Sequence, residues 1–181
     1  SNAILGNSTL DVKLTDDLVF KTLLGLEYQN NNNELFVPVI YEDDRGEAKD
    51  SHSYFNSFLN ENTLTYAKTF NEVHNINALL GFTYQSYVTR NAGISVSQLT
   101  SNITENYNLG SATLISPPTS GFSEWKLLSG LGRINYSFLG KYMFTASFRS
   151  DGSSRFGTAN KWGYFPSAAV AWRISDESFM E

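Results

Sequence analysis

The last third of the chain, residues 127–180, alternates apolar and polar side chains through three consecutive segments that are separated by turn-forming residues. Successive side chains of a β-strand point to opposite faces, so a period of two predicts antiparallel strands with one apolar and one polar face. The apolar positions of the first two segments are Leu128, Ile134, Tyr136, Phe138, Tyr142, Phe144, Ala146 and Phe148.

The apolar face of these segments fits two kinds of surroundings. An apolar face with aromatic residues near the strand ends, opposite a face of Arg, Asn, Ser and Thr, is typical of the wall of a membrane β-barrel. A soluble β-sandwich buries the same kind of face against a second sheet. Alternation alone therefore does not distinguish lipid from a protein core.

The lengths of the predicted connections favour the barrel. Short connections alternate with long ones along the chain: 15–17, 29–51, 71–73, 91–124, 140–141 and 150–161. Outer-membrane barrels have short turns at one end and long loops at the other, whereas sandwiches follow no such rule. We therefore expect an all-β fold of antiparallel strands from a transmembrane β-barrel, about seven or eight in number, with the long loops at one end. A soluble, carbohydrate-binding β-sandwich is the alternative.

Composition excludes several classes of function. The net charge is −5 and no basic patch is visible, so a nucleic-acid partner is not expected. The absence of cysteine removes disulfides, thiol nucleophiles and thiolate metal sites. No run of 18 apolar residues is present, so no helix is expected to span a membrane.

Residues suited to catalysis or metal binding are sparse. His52 and His74 lie far apart in sequence, and no serine occupies a Gly-x-Ser-x-Gly turn. The acidic group within 42–50 does not have the spacing of a known calcium loop, so we interpret it as a solvated loop. We expect no enzyme activity, no cofactor and no metal.

Four blocks of sequence resemble a known family. They are LNENTLTYAKTF, INALLGFTYQ, GRINYSFLGKYMFTASFRSDGSSRFG and KWGYFPSAAVAWRISDESFM. They resemble the SusC/RagA-like TonB-dependent outer-membrane transporters, and the likeness extends over nearly the whole chain. Its most specific parts are 151–157 and 162–167.

The resemblance implies a barrel of 22 strands in the bacterial outer membrane, closed by an N-terminal plug. It also implies import of oligosaccharides or peptides with energy delivered by TonB through the plug, and a SusD-like lipoprotein as the lid. Residues 1–3 look like a scar of tag removal. Residues 4–181 are then expected to be a partial barrel domain that lacks the plug and the remaining strands.

Aromatic residues on the long loops are the expected ligand contacts, because sugar rings stack on Tyr and Trp faces. They are Tyr41, Tyr87, Tyr107, Trp125 and Trp162. Trp125 and Trp162 are also expected in the aromatic girdle that borders the lipid.

Three arginines on the polar sides of strands are expected to face the barrel lumen: Arg133, Arg149 and Arg173. They are expected either to hold the plug through ion pairs or to shape the electrostatic potential of the channel, and we favour the plug contact. Arg155 is expected to pair with Asp151 across a turn.

Overall fold

The computed structural model describes residues 1–41, 45–157 and 161–180, and most of these residues lie in eight β-strands. The strands are β1 (Asn2–Lys13), β2 (Leu18–Val37), β3 (Glu47–Phe70), β4 (His74–Leu99), β5 (Ala112–Ile115), β6 (Thr119–Phe138), β7 (Tyr142–Ser153) and β8 (Trp162–Trp172). Two short 3-10 turns lie at Leu109–Ser111 and Ile174–Asp176. No helix in the described ranges is long and apolar enough to cross a membrane.

All eight described strands belong to one antiparallel sheet. Its order is β1-β2-β3-β4-β6-β7-β8, and β5 pairs with β4 beside this path. The predicted all-β class and strand number are confirmed. The sandwich alternative is wrong, because no second sheet is present among the described residues and Trp162 and Trp172, which a sandwich would bury, are 48% and 49% exposed.

The short connections are confirmed as tight hairpin turns. Asn71 and Glu72 have φ angles of 48° and 60°, and Leu139 and Gly140 have φ angles of 54° and 67°. Two consecutive residues with positive φ are typical of the type I′ turn, whose twist matches that of the strands it joins. Glycine adopts this conformation without strain, which accounts for Gly140.

The long connections are shorter than predicted. The first was expected to occupy 29–51, but β2 continues to Val37 and β3 begins at Glu47. The second was expected over 91–124, yet β4 continues to Leu99, β6 begins at Thr119, and β5 lies between them. Polar side chains such as those of 30–33 do not end a strand whose faces both meet water, because the backbone ladder still satisfies the peptide groups. Of the acidic group, Glu42, Asp43 and Asp44 lie outside the described residues.

The chain forms two compact units. The first consists of Ser1–Gly6, Leu26–Ser57 and Tyr87–Glu124, and the second of Asn7–Gly25, Phe58–Ser86 and Trp125–Glu181. In the first unit Ala48, Val96 and Leu99 form a small buried cluster on which Phe36 packs. The second unit contains the hairpin turns, and many of its large apolar side chains are exposed.

Candidate functional site

One face of β6, β7 and β8 in the second unit is almost wholly apolar. The registers place Ile134 opposite Ala146 and Ala146 opposite Ala168, so even-numbered residues of the three strands share this face. Its members include Leu128, Tyr136, Phe138, Tyr142, Phe144, Phe148, Trp162, Tyr164, Pro166, Val170 and Trp172. We call it the apolar face.

The length of the apolar face matches a lipid bilayer. The β7–β8 ladder runs from Tyr142 opposite Trp172 to Gly152 opposite Trp162. At about 3.3 Å per residue the ladder is roughly 33 Å long, and a tilt of about 40° reduces its height to roughly 25 Å. This is the height of the apolar band of an outer-membrane barrel. Aromatic residues lie at both ends, as a girdle requires.

Ring contacts and one carboxylate fix the hairpin end of this face. The Tyr142 ring stacks on Trp172 with 6.2 Å between the centroids. The Glu177 carboxylate accepts a hydrogen bond of 2.8 Å from the Tyr142 hydroxyl and one of 2.9 Å from the Trp172 indole nitrogen. The hydrogen bonds from Trp172 and Tyr142 hold the pKa of Glu177 below its usual value, because they favour the charged form.

His74 extends this aromatic end onto β4. Its ring stacks on Phe138 at 4.9 Å, and its Nδ1 atom lies 2.8 Å from the Tyr136 hydroxyl. The hairpin end therefore carries a continuous row of rings with polar atoms among them. This arrangement suits the boundary between hydrocarbon and water.

The opposite face of the same three strands carries most of their polar side chains, together with a few apolar ones such as Leu131 and Phe165. Arg133 lies opposite Ser147, whose hydroxyl is 2.7 Å from that of Ser167. The Arg149 Nε atom donates to both carboxylate oxygens of Asp151, at 2.9 and 2.8 Å. Odd-numbered residues thus form a hydrogen-bonded surface, and we call it the polar face.

The first unit carries a polar cleft of about 390 Å³. Asn31, Lys49, Ser51, Asn91 and Thr119 are among its lining residues, and the described lining includes the His52 ring but no Phe, Tyr or Trp. The Asn91 amide lies directly over Gly121, where any Cβ atom would collide with it. Amide and hydroxyl groups both donate and accept hydrogen bonds, so the cleft is suited to a neutral polar ligand.

A larger, open cleft of about 900 Å³ lies on even-numbered side chains of the first unit. Tyr28, Tyr54, Val88, Arg90 and Phe122 line it. The Arg90 guanidinium lies 5.4 Å from the centroid of the Phe122 ring, a cation–π contact. We call this the aromatic cleft.

Known proteins with similar sequences carry the name TonB-dependent receptor. The chain is 33% identical over 175 residues to TonB-dependent receptor P39 of Formosa agariphila, covering 95% of this chain and 17% of the relative. It is 35% identical over 169 residues to receptor P3 of the same organism, covering 92% of this chain and 17% of the relative. Over 55 residues it is 53% identical to TonB-dependent receptor SusC of Bacteroides thetaiotaomicron, covering 30% of this chain and 6% of that one. The resemblance to SusC-like TonB-dependent receptors is therefore confirmed, over a segment of each relative.

A solved structure contains a segment with the same fold as this chain. The RagAB peptide transporter matches 98% of this chain and 20% of its own chain, with a TM-score of 0.90 and 24% sequence identity. The chain spans about a fifth or less of the length of the receptors it matches. No family model matches the sequence.

The five predicted ligand aromatics are divided between the two units. Tyr41 and Tyr107 lie in loops of the first unit and are 75% and 84% exposed. Tyr87 lies within β4, where its ring packs 6.1 Å from that of Phe55. Trp125 and Trp162 lie in strands of the second unit. Their contact with a ligand stays a prediction.

The two tryptophans lie on opposite faces of the strands of the second unit. Trp162 is opposite Gly152 on the apolar face, where a girdle residue belongs. Trp125 is two residues before Leu127 in β6 and so shares the polar face, and the Arg155 guanidinium lies 4.3 Å from its ring centroid. Trp125 is therefore not part of the girdle on the apolar face. The predicted pair of Arg155 with Asp151 is wrong, because Arg155 packs on the Trp125 ring and Asp151 pairs with Arg149.

Of the three predicted lumen arginines, two lie on the polar face. Arg149 is engaged by Asp151, and no carboxylate in the described part of the chain pairs with Arg133. Arg173 follows the last residue of β8, and its Nη1 atom lies 3.3 Å from Asp176. Their contact with a plug stays a prediction.

Sequence reasoning did not single out Glu177 or Arg90. Arg90 was detectable, because it occupies an even-numbered position of β4 beyond Phe82 and Tyr84 in the same period of two. Glu177 gave no such signal, since its contacts depend on how the backbone turns after β8. In the described ranges, no three His, Cys, Asp or Glu side chains are grouped as a metal would require.

Proposed function

We propose that this chain forms part of the barrel wall of an outer-membrane importer that takes up oligosaccharides or peptides. One observation carries the proposal: the β7–β8 ladder has an apolar face of bilayer height and a hydrogen-bonded polar face behind it. In this role the apolar face meets the lipid of the bacterial outer membrane. The polar face lines the path of the substrate, and the chain performs no covalent chemistry.

The polar cleft of the first unit is the proposed substrate contact. Its amides and hydroxyls match the donors and acceptors of sugars and of peptide groups, and Lys49 adds one positive charge. A solved structure with the same fold is a peptide transporter, which supports the peptide class. A SusD-like lipoprotein is the proposed lid, and TonB acts through a plug segment.

Arg133 is the proposed plug contact of the polar face. It lies on β6 opposite Ser147, and no carboxylate of the described residues neutralises it. A carboxylate on a plug would pair with it in the confined, partly dehydrated lumen, where such a pair is stronger than in water. Arg149 is less suited, because Asp151 already engages it.

The test uses the full-length protein in a host with and without functional TonB. Cells are fractionated, and uptake of labelled oligosaccharides and labelled peptides is measured separately. We expect a heat-modifiable, outer-membrane protein and uptake of one class that requires TonB. A protein in the soluble fraction, or uptake that is equal without TonB, would refute the proposal.

A second comparison tests the polar cleft. Asn91→Ala removes a lining amide, and Asn75→Ala removes an amide of the same strand outside the cleft. We expect the apparent affinity for the imported substrate to fall about tenfold for the first variant only, which is the effect of losing about one good hydrogen bond. Equal uptake curves for both variants would exclude the cleft as a substrate contact.

A further inference from the structure

Two hydroxyl groups of the polar cleft have their hydrogens engaged by the backbone. The Ser51 hydroxyl donates to the Asn33 carbonyl at 3.2 Å, and the Thr119 hydroxyl donates to the Gly93 carbonyl at 3.3 Å. A hydroxyl whose hydrogen is engaged still has lone pairs that accept hydrogen bonds. Both groups therefore offer acceptors to a ligand, and these match the N–H groups of a peptide.

Gly93 keeps the space between these two hydroxyl residues open. A Cβ atom on it would lie 3.2 Å from the Ser51 Cβ and 3.4 Å from the Thr119 Oγ1. The Asn31 and Asn91 amides, which also line the cleft, carry the same donor and acceptor groups as a peptide bond. The described lining offers no Phe, Tyr or Trp face on which a sugar ring could stack. Its chemistry thus favours a peptide main chain over an oligosaccharide.

Lys49 gives the polar cleft a positive charge. It is exposed, it is the one Lys or Arg of the described lining, and that lining contains no Asp or Glu. No carboxylate of the described residues forms an ion pair with Lys49, although Glu47 lies two residues away on the same side of β3. The Lys49 ammonium group is therefore available to an anionic group of a ligand.

The His52 ring, which also lines the cleft, is already engaged. Its Nε2 atom lies 3.3 Å from the Asp50 carboxylate, and its Nδ1 atom lies 3.0 Å from the Asn32 amide oxygen. These contacts occupy both ring nitrogens. Among the described lining residues, Lys49 is thus the side chain suited to bind an anion.

The spacing of Lys49 and Ser51 fits an extended peptide. The two residues are two positions apart on β3, so their side chains share one side and are separated by about 7 Å along the strand. Side chains on one side of an extended peptide have the same spacing. A peptide that lies along β3 can therefore place its main chain at Ser51 and an acidic side chain at Lys49.

We propose that the polar cleft selects acidic peptides, with Lys49 binding a carboxylate side chain and Ser51, Asn91 and Thr119 contacting the peptide main chain. This role rests on the proposed use of the cleft as the substrate contact. The hydroxyls and amides bind what all peptides share, and the charge of Lys49 distinguishes one peptide from another.

The test measures peptide binding to the full-length receptor in a neutral detergent, by isothermal titration calorimetry. The probes are three heptapeptides with blocked ends that differ only at the central residue, which is Glu, Gln or Lys. We expect the Glu peptide to bind about fivefold more tightly than the Gln peptide, and the Lys peptide to bind most weakly. Fivefold corresponds to about 1 kcal/mol, the upper range for an exposed ion pair. The preference should shrink between about 50 mM and about 0.5 M salt, because salt screens exposed charges.

Variants identify the carboxylate ligand. Lys49→Gln should bind the Glu and Gln peptides equally, and should bind the Gln peptide as well as wild type does. Lys49→Arg should keep the preference, because it keeps the charge. Lys21→Gln removes an exposed lysine of β2 that is outside the lining of the cleft, and it should also keep the preference. Heat-modifiable mobility confirms that each variant is folded.

Four results would overturn the proposal: no binding of any of the three peptides, equal binding of the Glu and Gln peptides to wild type, an unchanged preference in Lys49→Gln, or oligogalacturonate binding more tightly than the Glu peptide. None of these results concerns membrane location or TonB. A receptor that fractionates with the outer membrane and needs TonB for uptake keeps its proposed import function whichever of them is found. The two proposals therefore fail separately.

Discussion

A single arginine on β8 tests which face of the sheet meets lipid. Ala168 and Ala169 are consecutive, identical residues that lie opposite Ala146 and Thr145 of β7, so they belong to the apolar and the polar face respectively. Both lie within about two residue steps of the middle of the ladder. Ala168→Arg therefore places a charge on the apolar face near mid-bilayer, and Ala169→Arg places the same charge on the polar face.

The expected costs differ by more than tenfold in the folding equilibrium. Ala168 is about one residue from the centre of the ladder, or roughly 2.5 Å in depth at a tilt of about 40°, so the midplane cost of about 2–4 kcal/mol applies. This corresponds to a fall of about 30-fold to 700-fold in the equilibrium constant. Ala169→Arg should cost less than about 0.5 kcal/mol, because its surroundings are Thr145 and water.

The assay refolds the full-length protein from urea into short-chain phosphatidylcholine vesicles. The folded fraction is measured from gel mobility before and after boiling, at a series of urea concentrations. A lower folding midpoint for Ala168→Arg alone supports the assignment of the faces. If Ala169→Arg were the more damaging variant, or if both were equal, the assignment of lipid to the even-numbered face would be refuted.

Three further predictions concern single contacts. Gly152→Ala should cost about 1–3 kcal/mol in unfolding titrations, because its new Cβ would lie 2.9 Å from a tryptophan ring, whereas Gly130→Ala has open space and should be nearly neutral. Glu177 has a lowered pKa, so its contribution to stability is present above pH of about 4.5 and is lost as the pH falls below that value. Glu177→Gln should therefore lower the unfolding temperature at pH 7, the difference from wild type should shrink as the pH falls below about 4.5, and a constant difference would contradict this. A double-mutant cycle of Arg149→Gln and Asp151→Asn should give a coupling of about 0.5–1 kcal/mol, because the pair is partly exposed, and additive effects would show that the pair is without consequence.

The alternation of residues 127–172 predicted the strands and their two faces correctly. Ile134, Phe144 and Val170 lie on the apolar face as the period of two requires, and the turn at Gly140 was predicted to within one residue. These features are local, because side-chain direction on a strand and the φ preference of glycine depend on neighbouring residues alone.

The predicted loops show where local reasoning failed. The polar run at 30–33 was interpreted as loop, but it lies in β2. Strand propensity reflects the surroundings of a strand more than its own sequence, so a neighbouring strand that supplies backbone partners keeps polar residues extended. Trp125 and Arg155 were misassigned for a similar reason: their contact joins residues 30 positions apart, and sequence spacing gives no information about it.

The sequence by itself determined the strand periodicity, the hairpin turns and the separation into an apolar and a polar face. The tertiary structure decided that these strands form one sheet without a second sheet over it among the described residues, which leaves the apolar face open. It also decided the contacts of Glu177 with Tyr142 and Trp172 and of Arg90 with Phe122. The reason is physical: alternation records that two faces differ in polarity, whereas what covers each face depends on how distant strands pair.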